Sequence, residues 1–218
     1  VGASTVLFTV AYGVLMKPVP WPGADRLVRL TAAREGSTRP ERFLTNATYL
    51  AWNEHPTTIE GLTAWSASTM TVTGVGEPER VRVVATSPAL FSLLGGQPAI
   101  GRVFAAAANG AVDEAQVVLS HGWWLRQFGG SRDAIGRAVR IDGSEYRVVA
   151  VMPPGFAFPD AEARAWIPFN VKPVIGKDPQ SRSLSMFSAI ARLRPGMSAA
   201  QAAAEGTGRT KATAAETA

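Results

Sequence analysis

The first sixteen residues, Val1 to Met16, carry no charge, and Lys17 with Pro18, Pro20 and Pro22 follows at once. No other feature constrains the chain as hard. An uncharged run of this length has to leave water, and the prolines end any helix that it forms. The run admits three readings: a buried core helix, a secretion signal, or the end of a membrane span. A full span takes about 20 residues, so the run is short of one. A signal has a basic start and a small-residue cleavage site. Here the chain opens Val1-Gly2-Ala3, on valine and not methionine, and the run closes Leu15-Met16-Lys17-Pro18. The opening reads as that of a fragment or processed product. The Gly, Ala, Ser and Thr mixed into the run are the small residues of closely packed membrane helices. On the membrane reading, Lys17 snorkels and Trp21 sits among head groups. Lys17, Pro18, Pro20, Trp21 and Pro22 then form a stiff exit and a coupling stalk.

Beyond the stalk the chain reads as globular. With 218 residues, 46% of them hydrophobic, it is long enough for one large core or two small ones. The net charge is +5, yet the arginines are scattered and the six tryptophans do not interleave with basic residues. A generally basic surface fits this better than a nucleic-acid site. The absence of cysteine excludes disulfides, zinc–thiolate sites and thiol nucleophiles.

Periodicity and turn chemistry supply the elements. Asp25–Leu30 mixes polar and apolar residues in near-alternation and predicts a strand. Thr45 or Asn46 caps a helix that Pro56 stops. Leu62–Val75 reads as one or two strands, and Glu79–Ala85 as a strand with Val81 and Val83 inward. Ser87-Pro88 opens a short helix that Gly95-Gly96 ends. Ala105–Ala115 is an exposed loop. Gln116–Leu119 is a strand, and Ser120 caps a helix with Trp124 and Phe128 on one face. Ala138–Ile141 and Ser144–Val151 flank Asp142-Gly143, the strongest hairpin signal in the chain. Trp166–Phe169 is at best a short edge strand, because of Pro168. Lys172–Leu184 is a mobile loop and Ser185–Leu193 a last strand. Ser198 caps an alanine-rich helix, and from Gly206 on no apolar period remains, which predicts a disordered tail over 206–218.

No constellation of reactive groups emerges. His55 and His121 are the only histidines and lack metal-ligand spacing. Gly130–Arg137 has five residues between its glycines and no Lys-Ser/Thr, so it is no phosphate loop. Ser120 beside His121 is not a triad, and Asp113-Glu114 and Asp160-x-Glu162 read as loop charges. Catalytic, cofactor and metal sites are therefore assigned to no residue, and the chain is read as not an enzyme. The aromatics Trp65, Trp123, Trp124, Phe156, Phe158 and Trp166 have two readings: core, or the lining of an apolar contact surface.

Several stretches, taken in order, carry a resemblance. LMKPVPWPGADRLVRL (15–30) resembles the junction after the first membrane helix of MacB-like ABC transporter permeases, in the FtsX/MacB superfamily and especially its acidobacterial-type branch. GEPERVRVVATSPALFSLLGGQPAIGRVF (76–104) is similar to their strand, helix and "pro-x-x-gly-arg-x-phe" stretch. VVLSHGWWLRQFGGSRDAIGRAVRIDGSEYRVVAVMPPGFAFP (117–159) resembles their most recognisable block, and ARLRPGMSAAQAAAE (191–205) their returning strand and helix. After Glu205 the pattern departs, where the family's helix continues toward a second membrane span.

The resemblance implies an α+β fold. A βαβ-rich, porter-like subdomain spans about 25–95 and 185–205, with a mainly β subdomain inserted at about 97–172. Residues 1–22 would be the end of the first transmembrane helix and its proline exit. It implies further a periplasmic core domain on the inner membrane, working with a cytoplasmic ABC ATPase and with a paired permease or second copy. Its role would be to pass conformational change between the membrane helices and a periplasmic substrate or partner; it would not transport alone. The other reading is a periplasmic ligand- or peptide-binding module without force transmission.

Overall fold

A computed structural model describes residues 6–8, 21–34, 43–105, 113–171 and 187–216, with the backbone alone at 6–8, 33–34 and 211–216. The chain divides into two compact units. One comprises residues 1–64 and 171–218, the other residues 65–170. The porter-like part was expected to extend to about residue 95. Instead the division falls at Ala64/Trp65, inside a long strand.

Among the described residues, the first unit holds two strands and the start of a third in one sheet, a separate two-stranded sheet, and two helices. A single 3-10 turn, Ala24–Arg26, precedes strand β2 (Leu27–Leu30), which pairs antiparallel with β11 (Ser188–Leu193). The predicted strand therefore begins two residues later than its alternation suggested. β11 lies between β2 and the start of β4 (Ile59–Thr73). Helix α1 (Asn46–Asn53) begins as expected, with the Thr45 hydroxyl accepting the Thr48 N–H. Its Trp52 is fully buried, and Tyr49 meets Phe187 edge-on at 5.6 Å.

Helix α4 runs from Ala199 to Glu216. Ser198 and Gln201 close its start as a reciprocal capping box: the Gln201 N–H donates to Ser198 Oγ at 3.2 Å, and the Ser198 N–H to Gln201 Oε1 at 2.8 Å. The helix continues through the stretch expected to be disordered from Gly206 on. The reason is tertiary. Gly206 is where α4 passes the Trp52 indole, and any Cβ there would overlap the ring. A residue that weakens an isolated helix is here the one that admits its partner.

At the chain's start, Val6–Phe8 forms strand β1, antiparallel to β3 (Ala32–Arg34). A helix was expected over Val1–Met16, so these three residues correct that expectation. The backbone partners that a helix would supply internally come from β3 instead. Residues 1–5 and 9–20 lie outside the described residues, and among the described residues no helix is long and apolar enough to cross a membrane.

The second unit is a mixed sheet covered on both faces. From Trp65 on, β4 pairs antiparallel with β5 (Glu79–Thr86). β10 (Ala163–Pro168) lies parallel to β5 and antiparallel to β7 (Gln116–Leu119). β7 is parallel to β9 (Ser144–Val151), which carries β6 (Ile100–Gly101) on its far side. β8 (Ala138–Ile141) pairs with β9 and with the end of β4. The β8–β9 hairpin turns as the sequence predicts, with φ of 46° at Asp142 and 84° at Gly143.

Helix α3 (His121–Phe128) makes the crossover between parallel β7 and β9. The Ser120 hydroxyl accepts the Trp123 N–H, as its cap assignment requires. α2 (Ala89–Leu93) follows β5 as expected. Two parallel pairs, β5–β10 and β7–β9, lie in this unit; β7, β9 and β10 fall in the stretch of about 97–172 where a mainly β insert was expected, and β5 falls before it.

Trp166–Pro168 belongs to an interior strand, not an edge. Ala165 and Ile167 join Val81, Val83, Val117, Leu119, Val148 and Trp123 in one core. Trp166, on the alternate face, packs edge-on against Phe156 at 5.2 Å and Phe91 at 6.4 Å. Burial on both faces explains the unbroken apolar run. Pro168 is tolerated because it ends the strand, beyond the Ala165–Trp166 pairing with β7.

Candidate functional site

A dense polar arrangement of the first unit forms around four residues, Thr57 to Glu60. The chain reaches them through a sharp reversal. α1 ends with the Glu54 N–H bonded to the Leu50 carbonyl, His55 adopts a φ of 50°, and Pro56 prevents any helical continuation. Thr57 and Thr58 then present two backbone N–H groups and two hydroxyls together. Glu205, in the second turn of α4, takes all four. One carboxylate oxygen accepts the Thr57 N–H at 2.8 Å and its hydroxyl at 2.9 Å. The other accepts the Thr58 N–H at 2.9 Å and its hydroxyl.

Arg209, one helical turn on, donates to the same carboxylate at 2.8 and 3.1 Å. Its remaining reach goes to the carbonyl oxygens of Glu54 and, at 2.6 Å, His55. Burial would raise the Glu205 pKa. The hydrogen bonds from Thr58, Thr57 and Arg209 outweigh it and hold the carboxyl at about 2. A carboxylate so saturated has no lone pair to offer a substrate proton. Its chemistry is that of a fastening.

The same stretch is held from a second side. Arg26 donates one nitrogen to Glu60 at 2.7 Å and to the Leu193 carbonyl at 2.9 Å. Arg192, nearly buried on β11, donates to the Gly23 carbonyl at 2.8 Å. The Arg194 N–H donates to the Thr58 carbonyl at 2.9 Å. Thr57–Glu60 is therefore gripped by Arg26, by the end of β11 and by α4. The grips differ in strength. Arg26 and Glu60 are each about one-third exposed, which limits their pair to about 1 kcal/mol, whereas the Glu205 side chain is only 12% exposed.

Of the stalk residues singled out in the sequence, Lys17, Pro18 and Pro20 lie outside the described residues. Trp21 and Pro22 lead directly into Gly23, whose carbonyl Arg192 holds. The aromatic contact surface is corrected. Trp123, Trp124, Phe156, Phe158 and Trp166 are all buried. Their polar handles are satisfied inside: Trp123 Nε1 donates to Glu79 at 2.9 Å, Trp124 Nε1 to the Ser131 carbonyl at 2.9 Å, and Trp166 Nε1 to the Phe158 carbonyl at 3.0 Å. Large rings with satisfied N–H groups are the cheapest way to fill a core that has two sheet faces to cover. His121 stacks edge-on against Trp124 at 5.4 Å, and Asp113 caps its own loop through the Ala115 N–H. Among the described residues, no three His, Cys, Asp or Glu side chains come together as a metal site would require.

Sequence reasoning missed the Glu205 cluster. Its local signals are the Ser198-x-x-Gln201 box and the Glu205–Arg209 spacing of four on one helix face. Its partners lie 147 and 148 residues away in the chain, which no local pattern reveals.

Residues 1–207 match the family described as the MacB-like periplasmic core domain. The chain belongs to this family. The periplasmic region of MacB from Actinobacillus actinomycetemcomitans shares the fold at a TM-score of 0.60, with 16% identity over 99% of this chain and 86% of that one. A domain assigned to a permease protein of Porphyromonas gingivalis gives 0.57, with 19% identity over 82% and 79%. The extracellular domain of the noncanonic ABC-type transporter YknZ from Gram-positive bacteria gives 0.52, with 15% identity over 75% and 79%. No curated protein matches the sequence. In this MacB-like core domain the gripped stretch joins Arg26, just ahead of β2, to helix α4.

Proposed function

We propose that this MacB-like core domain is the periplasmic part of an inner-membrane ABC permease, and that it passes motion from the membrane side into the domain. The observation that carries this reading is the convergence of the stalk base and α4 on Thr57–Glu60. A binding module has no need for its two ends to hold one stretch of chain. A mechanical relay does, because a pull on either end then displaces the same strand start. In this reading the membrane helices of the permease carry the domain, and a cytoplasmic ATPase drives the cycle. A second permease copy or a paired permease completes the membrane part. The motion shifts a packing equilibrium of the domain toward one of two states, which a periplasmic substrate or partner reads.

These 218 residues hold no cysteine, so one engineered cysteine places a single label in this domain. An environment-sensitive dye on Leu125→Cys, an exposed position on α3, is followed in the permease reconstituted with its ATPase. ATP added on the cytoplasmic side changes the dye's emission, and an ATPase that binds but does not hydrolyse traps the changed state. Steady ATP turnover with no change in emission rejects the relay.

A further inference from the structure

We propose that Glu205, reinforced by Arg209, is the positioning residue that locks α4 to the start of β4, so that α4, Thr57–Glu60 and the stalk base move as one body. The purpose of such a lock rests on the relay reading above; its existence does not, and the two are tested separately.

Three independent features point to a lock and not to ordinary packing. The first is saturation. Both oxygens of one carboxylate are taken by both donors of two successive threonines, so that α4 cannot slide or roll without breaking several bonds together. The second is direction. Arg209 spans from that carboxylate to the carbonyls of Glu54 and His55, fixing the end of α1 and the turn after it to the same helix turn. The third is proximity. Gly206, between these two side chains in sequence, lets the α4 backbone lie directly on the Trp52 indole. At so close a distance two elements have little room to shift against each other. On the far side of the same four residues, Arg26 and the Arg194 N–H hold Glu60 and Thr58. A helix merely packed on a sheet needs apolar contact alone, and tolerates sliding. Here the charged groups are spent on chain segments that only movement would separate.

The test uses the 218-residue chain, which has no native cysteine to remove. Spin labels are placed at Asp25→Cys and Ala204→Cys, both exposed, beside the stalk base and on α4. The unsubstituted background gives one narrow distance distribution. Glu205→Ala at least doubles its width, and speeds amide exchange at Thr57 and Thr58 at least tenfold. Leu44→Ala, which removes a buried side chain elsewhere in the same unit, serves as the control. It lowers the melting temperature yet leaves the distribution narrow. Should Glu205→Ala not fold, Glu205→Gln keeps the shape and one acceptor oxygen and gives an intermediate width. An unchanged width in a folded Glu205 variant, or equal broadening by Leu44→Ala, overturns the lock. Neither result depends on whether the dye at position 125 responds to ATP.

Discussion

Gly206 is the residue at which a single methyl group decides how α4 packs. In a free helix Gly→Ala adds about 1 kcal/mol of stability. Here the new Cβ would overlap the Trp52 ring, which is fully buried and cannot retreat. Overpacking of this kind costs about 1–3 kcal/mol, so Gly206→Ala destabilises the chain on balance. Urea unfolding gives the sign directly. Glu205 makes a second prediction at this scale. Its carboxyl is held at about 2, against about 4.3 in an unfolded chain. A depressed folded-state pKa contributes stability that is present above the unfolded value and lost as pH falls toward the folded one. The contribution is at most about 3 kcal/mol at neutral pH, and it fades between about pH 5 and pH 2. Glu205→Gln lowers stability at pH 7 and flattens this acid limb, which melting temperatures across that range measure.

At the scale of elements, most of what the sequence signals is local and is found where its chemistry places it. Thr45 and Ser120 cap their helices, Asp142-Gly143 turns its hairpin, and Val81 and Val83 point inward. Each depends on residues within a few positions of one another. Gly143→Ala meets no neighbouring atom, so its cost is the left-handed backbone alone, about 1–2 kcal/mol. Thermal melting checks that figure. Contacts between elements are less legible. The Glu79 carboxylate on β5 receives Trp123 Nε1 and Gln127 Nε2, both at 2.9 Å, and Arg126 at 3.2 Å, and so ties α3 to the sheet. The bond from Trp123, against the opposing effect of burial and with help from Arg126 and Gln127, keeps this carboxyl below its ordinary range. Glu79→Ala leaves the indole N–H without its partner and costs about 1–2 kcal/mol, read as faster amide exchange along α3 than along β5. The interior position of Trp166–Pro168 was equally hidden. A proline excludes a central strand only where its missing N–H would have bonded, and that depends on how far β7 extends.

At the scale of the whole molecule, the buried aromatic rings argue against an apolar binding surface at Trp123, Trp124, Phe156, Phe158 and Trp166. Candidate peptides and lipids titrated into the chain therefore leave its tryptophan emission unchanged; saturable quenching would restore the binding-module reading. Local pattern along the chain carries an α+β chain of the MacB-like kind, its caps and its hairpin. Those follow from short-range backbone preferences and from motifs whose order along the chain survives without coordinates. Where the chain divides, which aromatics are core, that Gly206 continues a helix, and that Glu205 meets Thr57 and Thr58 came from the folded arrangement alone. Each of those depends on groups more than a hundred residues apart or on which faces of a strand are covered. Burial and hydrogen bonding act through space, and local sequence pattern records only the neighbours along the chain.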